Sequence, residues 1–158
     1  MKGYSLHIGL DKVGSNYSSL EDLNGAVLDA KNMHFLARKN GFQMIPFKSP
    51  DLAPLDSVLL NEMATRENIL DGIYQAAKTL EPKDFFFLTF SGHGGRKTDA
   101  SGDERIDQTW CLFDYQFLDD ELHNLMAQFE RGVRILVLSD SCYSGSILEF
   151  LDFFKGRS

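Results

Sequence analysis

Two residues of this chain stand in settings that could do covalent chemistry. His93 lies in Ser91-Gly92-His93-Gly94-Gly95 and Cys142 in Asp140-Ser141-Cys142-Tyr143-Ser144-Gly145, each directly after an apolar stretch. A thiolate is a strong nucleophile, and a neighbouring imidazole can take its proton and later pass it to a leaving amine. The glycines leave backbone N–H groups open to a developing oxyanion, with Gly94 and Cys142 the candidate donors. A solitary cysteine or histidine is usually a packing group, and Cys111, His7, His34 and His123 are read that way. His93 and Cys142 differ because both sit in small polar, glycine-bearing turns after separate strands.

The elements that must position them can be read from periodicity. Tyr4 to Leu10 is a short apolar run, a buried first strand. Leu23, Ala26, Val27, Ala30, Met33 and Ala37 recur at helical spacing and Gly41 supplies a stop. Phe42 to Phe47 reads as a second strand, and Pro46, Pro50 and Pro54 then mark a loop. Thr65 can cap a helix over Arg66 to Leu80 with a stripe of Ile69, Ile73, Ala76, Ala77 and Leu80, ended by Pro82. Asp84 to Ser91 is so continuously apolar that it belongs at the centre of a sheet covered on both faces. Gly92 to Gln108 is a long polar connection, suspect for function, and Trp110 to Phe113 a small strand. A helix over Asp119 to Arg131, a strand over Val133 to Ser139 and an amphipathic helical piece from Ser146 to about Phe154 complete the chain. This alternation predicts a mostly parallel α/β sheet with helices on both faces. Ligands then sit outside the carboxyl ends of the strands, after Leu10, Ser91 and Ser139, where the polar residues collect.

The 158 residues carry 16 Lys plus Arg against 23 Asp plus Glu, a net charge of −7. With 43% hydrophobic and 12% aromatic residues the chain can bury a core, which excludes a disordered tail. The acidic balance and the lack of a Lys/Arg run argue against nucleic-acid and membrane-surface partners. Two cysteines and a start without an apolar leader suggest a reduced, cytoplasmic protein.

Taken together, Ser-Gly-His-Gly and, 49 residues after the histidine, Asp-Ser-Cys-Tyr-Ser-Gly resemble the large catalytic p20-type unit of the caspase-like cysteine peptidases (peptidase C14). Within them the metacaspase and orthocaspase branch is the better match. Leu23-Asn24-Gly25-Ala26-Val27-Leu28-Asp29-Ala30 is similar to its first-helix motif, and Gly102-Asp103-Glu104-Arg105-Ile106-Asp107 to its acidic loop. The resemblance covers roughly residues 4 to 150 and implies the three-layer caspase-like (caspase-hemoglobinase) fold. Tyr143 and Ala26 stand where the family often has histidine and cysteine.

The resemblance further implies hydrolysis of peptide bonds after Arg or Lys, with Asp29, Asp140 and Ser91 holding the basic side chain. Two carboxylates beside the sulfur would pair with a cation and repel an aspartate. It also implies calcium (Ca2+) as an activator that orders loops beside the cleft, at Asp107, Asp119, Asp120 and Glu149. Four carboxylates suit a hard cation, whereas Asp119 and Asp120 would equally serve to start a helix. The family fold has six core strands and four are counted here, so the C-terminal strands of the small p10-type unit are expected to be missing from this chain. That unit would come as a separate fragment, as the rest of a longer protein or as a second protomer on an open sheet edge. Lys155 and Arg157 are candidate autoprocessing sites. Two other classes compete. A non-catalytic caspase-like scaffold or binding module would not need both His93 and Cys142, and a flavodoxin-like or phosphoacceptor domain would need an acidic acceptor where Ser91-Gly-His-Gly stands.

Overall fold

The computed structural model describes residues 1–17, 19–49, 51–52, 56–98, 106–141 and 148–150. A five-stranded sheet has the order β2-β1-β3-β7-β8, built from β1 (Gly3–Gly9), β2 (Val58–Leu60), β3 (Phe85–Gly92), β7 (Arg134–Ser141) and β8 (Leu148–Phe150). The first four are parallel, and β8 runs antiparallel to β7. A second, antiparallel sheet of β4 (Gly94–Thr98), β5 (Ile106–Cys111) and β6 (Gln116–Leu118) follows the end of β3. The α-helices are α1 (Ala26–Lys39), α2 (Arg66–Thr79) and α3 (Asp119–Met126). None of the described helices is long and apolar enough to cross a membrane.

Strand β3 lies in the middle of the larger sheet, as its sequence demands, with Phe86 to Gly92 all buried. Phe86, Leu88 and Phe90 join Leu6, Ile8, Ile69, Ile73, Val137 and others in one apolar core. The opposite face of the sheet meets α1. There a Cβ on Gly9 would come within 2.5 Å of the Ala26 carbonyl and 2.7 Å of the Ala30 Cβ, so the close approach of α1 to β1 requires glycine. On α2 the expected cap is present: Thr65 accepts from the Asn68 N–H at 3.3 Å, and Ile69, Ile73 and Ala76 are buried. Gly41, at φ +83°, follows α1 at the predicted stop.

The structure departs from the periodicity reading in four places. Of Phe42 to Phe47, only Gln43 pairs with β1, through a single bridge to Tyr4. Pro46 has no N–H to give a ladder and the Ile45 N–H is taken by Ser57 Oγ at 2.6 Å, so the edge strand is Val58–Leu60 instead. The connection after Gly92 is largely β-structure, with β4 and β5 paired from Gly94–Trp110 to Thr98–Ile106, and the small strand expected at Trp110 to Phe113 is the end of β5. Helix α3 stops at Met126 rather than Arg131, though Leu125, Met126 and Phe129 are buried as expected. Leu148–Phe150, expected to be helical, pairs as β8 with Leu136–Leu138, where the outer edge of β7 offers backbone groups to bond. The four core strands counted from the sequence thereby become five in the larger sheet, beside three in the second sheet, among the described residues.

Beneath α1 the sheet is polar. His7 is fully buried, its Nδ1 lies 2.9 Å from Thr89 Oγ1, and its ring meets His34 and Phe87 edge-on. Burial and then the neighbouring His34 lower its pKa to about 3, so the folded chain holds the ring neutral. His34 faces Asp56 and Arg38, and its own pKa is lowered, first by burial. Protons therefore favour the unfolded chain: this contribution is full above the unfolded value of about 6.5 and is lost as pH falls towards about 3. Urea denaturation of wild type and His7→Asn should show the wild type losing about 1 kcal/mol more per pH unit below 6.5. Parallel pH curves for the two proteins would contradict this assignment. Cys111 is 3% exposed and burial raises its thiol pKa, as suits a packing residue.

Candidate active site at the carboxyl rim of the sheet

Strands β1, β3 and β7 end on one rim. The β3–β7 register runs to Gly92 opposite Ser141, so the residues that immediately precede His93 and Cys142 are neighbours. Cys142 and Tyr143 lie outside the described residues, as do Gly102 to Arg105, Lys155 and Arg157.

His93 is half-buried between β3 and β4. Its Nε2 lies 2.7 Å from the Glu21 carbonyl oxygen. A carbonyl can only accept, so this bond places the proton on Nε2 and leaves Nδ1 with the lone pair of a base. The segment bearing Glu21 is tied down by the Leu23 N–H to the Asp11 carbonyl at 2.8 Å. The Asp11 carboxylate in turn accepts from the N–H groups of Gly25 at 3.0 Å and Val27 at 3.4 Å, at the start of α1. Sequence reasoning missed Glu21 and Asp11. Glu21 acts through its backbone, which no side-chain pattern reveals, whereas an aspartate directly after the first strand was a legible signal.

The position of Gly94 follows from ladder geometry. The Cys111 N–H donates to the His93 carbonyl at 2.9 Å, which makes Gly94 and Trp110 a non-hydrogen-bonded pair. The Gly94 N–H therefore points away from β5.

Asp29, Ser91 and Asp140 come together. Asp29 sits in the first turn of α1, Ser91 pairs with Asp140 across β3 and β7, and the Ser91 hydroxyl donates to Asp29 Oδ2 at 3.3 Å. All three line a cavity of about 240 Å³ on the α1 face, with Asn32, Met33 and Ser139. Its described lining carries two carboxylates and no cationic side chain. A larger cavity of about 490 Å³, at the other end of the sheet between Phe42, Phe85, Phe87 and Leu136, has no acidic, histidine or cysteine side chain among its described lining residues.

Of the residues matched to calcium, Asp119 and Asp120 have described side chains, and Asp107 and Glu149 are placed by their backbone alone. Asp119 and Asp120 are exposed at the start of α3, with the Asp120 N–H on Asp119 Oδ1 at 2.9 Å, as a helix start favours. Asp107 lies on β5, two residues from the Thr109–Leu118 pair, so its backbone is at the same end of the second sheet. Glu149 lies on β8 of the other sheet, opposite Val137. Among the described side chains, no group of three or more His, Cys, Asp or Glu residues is placed to hold a metal ion.

A family model described as the metacaspase, peptidase C14 domain matches residues 12–151. The chain belongs to the metacaspase family. Metacaspase-1 of Saccharomyces cerevisiae is 33% identical over 155 residues, covering 92% of this chain and 34% of the yeast protein. Metacaspase-1B of Aspergillus fumigatus is 36% identical, with 92% and 36% covered. A crystal structure of a Geobacter sulfurreducens protein superposes with a TM-score of 0.78 at 40% identity, over 93% of this chain and 53% of that one. The chain thus spans about a third of the length of these curated metacaspases, and its α/β architecture is caspase-like.

Proposed function

We propose that this chain carries the catalytic centre of a cysteine endopeptidase that cuts protein substrates after Arg or Lys. The observation that carries the reading is the β3–β7 register, which ends beside both His93 and Cys142 and sets Ser91 against Asp140 at a carboxylate-lined cavity. In the first step His93 Nδ1 takes the thiol proton and Cys142 Sγ attacks the scissile carbonyl. The Gly94 and Cys142 N–H groups receive the oxyanion. The tetrahedral intermediate collapses with cleavage of the C–N bond, the imidazolium protonates the leaving amine, and a thioester remains. Water, deprotonated by the same imidazole, then releases the acid and restores the thiol. Asp29 and Asp140 pair with the substrate cation, and the Glu21 carbonyl holds the His93 tautomer throughout.

With β8 paired to β7, a p10-type fragment or a second protomer would add its strands beyond β8, at the end of the larger sheet. Calcium as activator would use the carboxylates of Asp107, Asp119 and Asp120, whose backbones lie towards the same end of β5, together with Glu149 on β8. Bound there, the ion would order loops beside the cleft and leave thiol chemistry to His93.

A panel of fluorogenic peptides with Arg, Lys or Asp before the scissile bond tests the reading, run with calcium or chelator and with the small unit added in trans. Turnover should favour Arg and Lys by at least about 100-fold and fall at least about tenfold on chelation. Cleavage after Asp would refute the pocket assignment, and indifference to chelation would remove calcium.

A further inference from the structure

We propose that Trp110 is a positioning residue, whose indole braces the end of β7 leading into Cys142 against the hairpin that carries His93, through its bond to Ser139 and its stack on Phe90. The inference rests on the functional reading above and adds to it a residue outside the reacting groups.

Trp110 is 7% exposed, so its indole N–H needs an acceptor within the protein. It finds Ser139 Oγ on β7 at 2.9 Å, and that oxygen lies 3.4 Å from Ser141 Oγ, on the residue before Cys142. The indole stacks on Phe90 of β3 with centroids 4.5 Å apart and planes 4° apart, and Phe117 of β6 lies beyond it at 6.3 Å. Its own backbone sits opposite Gly94, and the next residue, Cys111, gives its N–H to the His93 carbonyl. One side chain therefore spans β3, β6 and β7, while its strand holds the start of β4. Filling the core would need only an aromatic ring. The directional N–H bond to the nucleophile's strand is what a phenylalanine could not supply.

Reactivity of the thiol reads this without requiring turnover. Iodoacetamide modification of Cys142 in the full chain, followed by peptide mass mapping as a function of pH, separates it from buried Cys111. Trp110→Phe keeps the ring, and Ser139→Ala removes the acceptor. Each should slow Cys142 alkylation at pH 7 by about fivefold or more and shift its profile towards higher pH, with Tm changed by no more than a few degrees. The double variant should be no slower than either single one, because both break the same bond. Unchanged pH profiles in both single variants, or additive losses, would overturn the bracing role even if Tm fell. If wild-type Cys142 alkylates no faster than a free thiol, the functional reading fails and the bracing role fails with it. A reactive wild type with unaffected variants sinks the Trp110 proposal alone.

Discussion

Peptide hydrolysis should fall by at least about a thousandfold in His93→Ala, and by more in Cys142→Ala, with the folded chain retained in both. The histidine would act twice, as acceptor of the thiol proton and donor to the leaving amine, so its loss strikes both halves of the reaction. Its surroundings support that double use. The Glu21 carbonyl at 2.7 Å fixes Nε2 as the donor nitrogen and turns the ring by its other nitrogen towards the work of a base. Cys142→Ala removes the atom that forms the acyl bond, so any remaining rate would come from binding and oxyanion donors alone. Because His93 is only half-buried at the rim and outside the apolar core, its replacement should shift Tm little. The check is kcat and KM for an Arg peptide together with a thermal melt. A loss of activity that tracked unfolding, or a His93→Ala variant within tenfold of wild type, would contradict the assignment.

The second large effect concerns the pocket. Asp140→Asn should lower kcat/KM for Arg and Lys peptides by about 100-fold, since a guanidinium or ammonium drawn into the cavity would lose a carboxylate partner on leaving water. Asp29→Asn should cost less. Its carboxylate already accepts the Ser91 hydroxyl, and the amide oxygen that replaces it can still accept that bond. Removing both charges should abolish the preference for a basic residue, and added salt should weaken wild type more than the double variant. Steady-state kinetics on Arg and norleucine peptides separates lost charge pairing from lost packing. Equal losses on the two peptides would show that the carboxylates hold up the rim and do not read the cation.

These expectations draw unequally on sequence and structure. Segments whose patterns reflect burial were legible: β3 and the Thr65-capped α2 appear within a residue of where periodicity puts them, while α1 starts at Ala26, three residues after the Leu23 that opens its apolar pattern. The edges were not. Whether Phe42 to Phe47 or Val58–Leu60 pairs with β1 depends on where Ser57 Oγ finds an amide, a choice made by tertiary contact. The antiparallel sheet after Gly92 was hidden because strands rich in Gly, Arg, Lys and Thr mimic a polar loop. At the site, the family resemblance pointed to Asp29, Ser91 and Asp140, which line one cavity. The Glu21 carbonyl was illegible because any residue could supply it, and Trp110 because a tryptophan in a strand looks like core until its N–H partner is seen. The family match covers residues 12–151, and the about one-third span of the curated relatives is why a second unit enters the assays.

The most direct test of the central claim is mass mapping of the chain after reaction with a peptidyl acyloxymethyl ketone bearing Arg next to the warhead, compared with the same probe bearing Asp. The account predicts stoichiometric modification of Cys142 by the Arg probe, little by the Asp probe, and loss of labelling in His93→Ala and in the Asp29→Asn/Asp140→Asn double variant. An unlabelled Cys142, or equal labelling by the Arg and Asp probes, would contradict it.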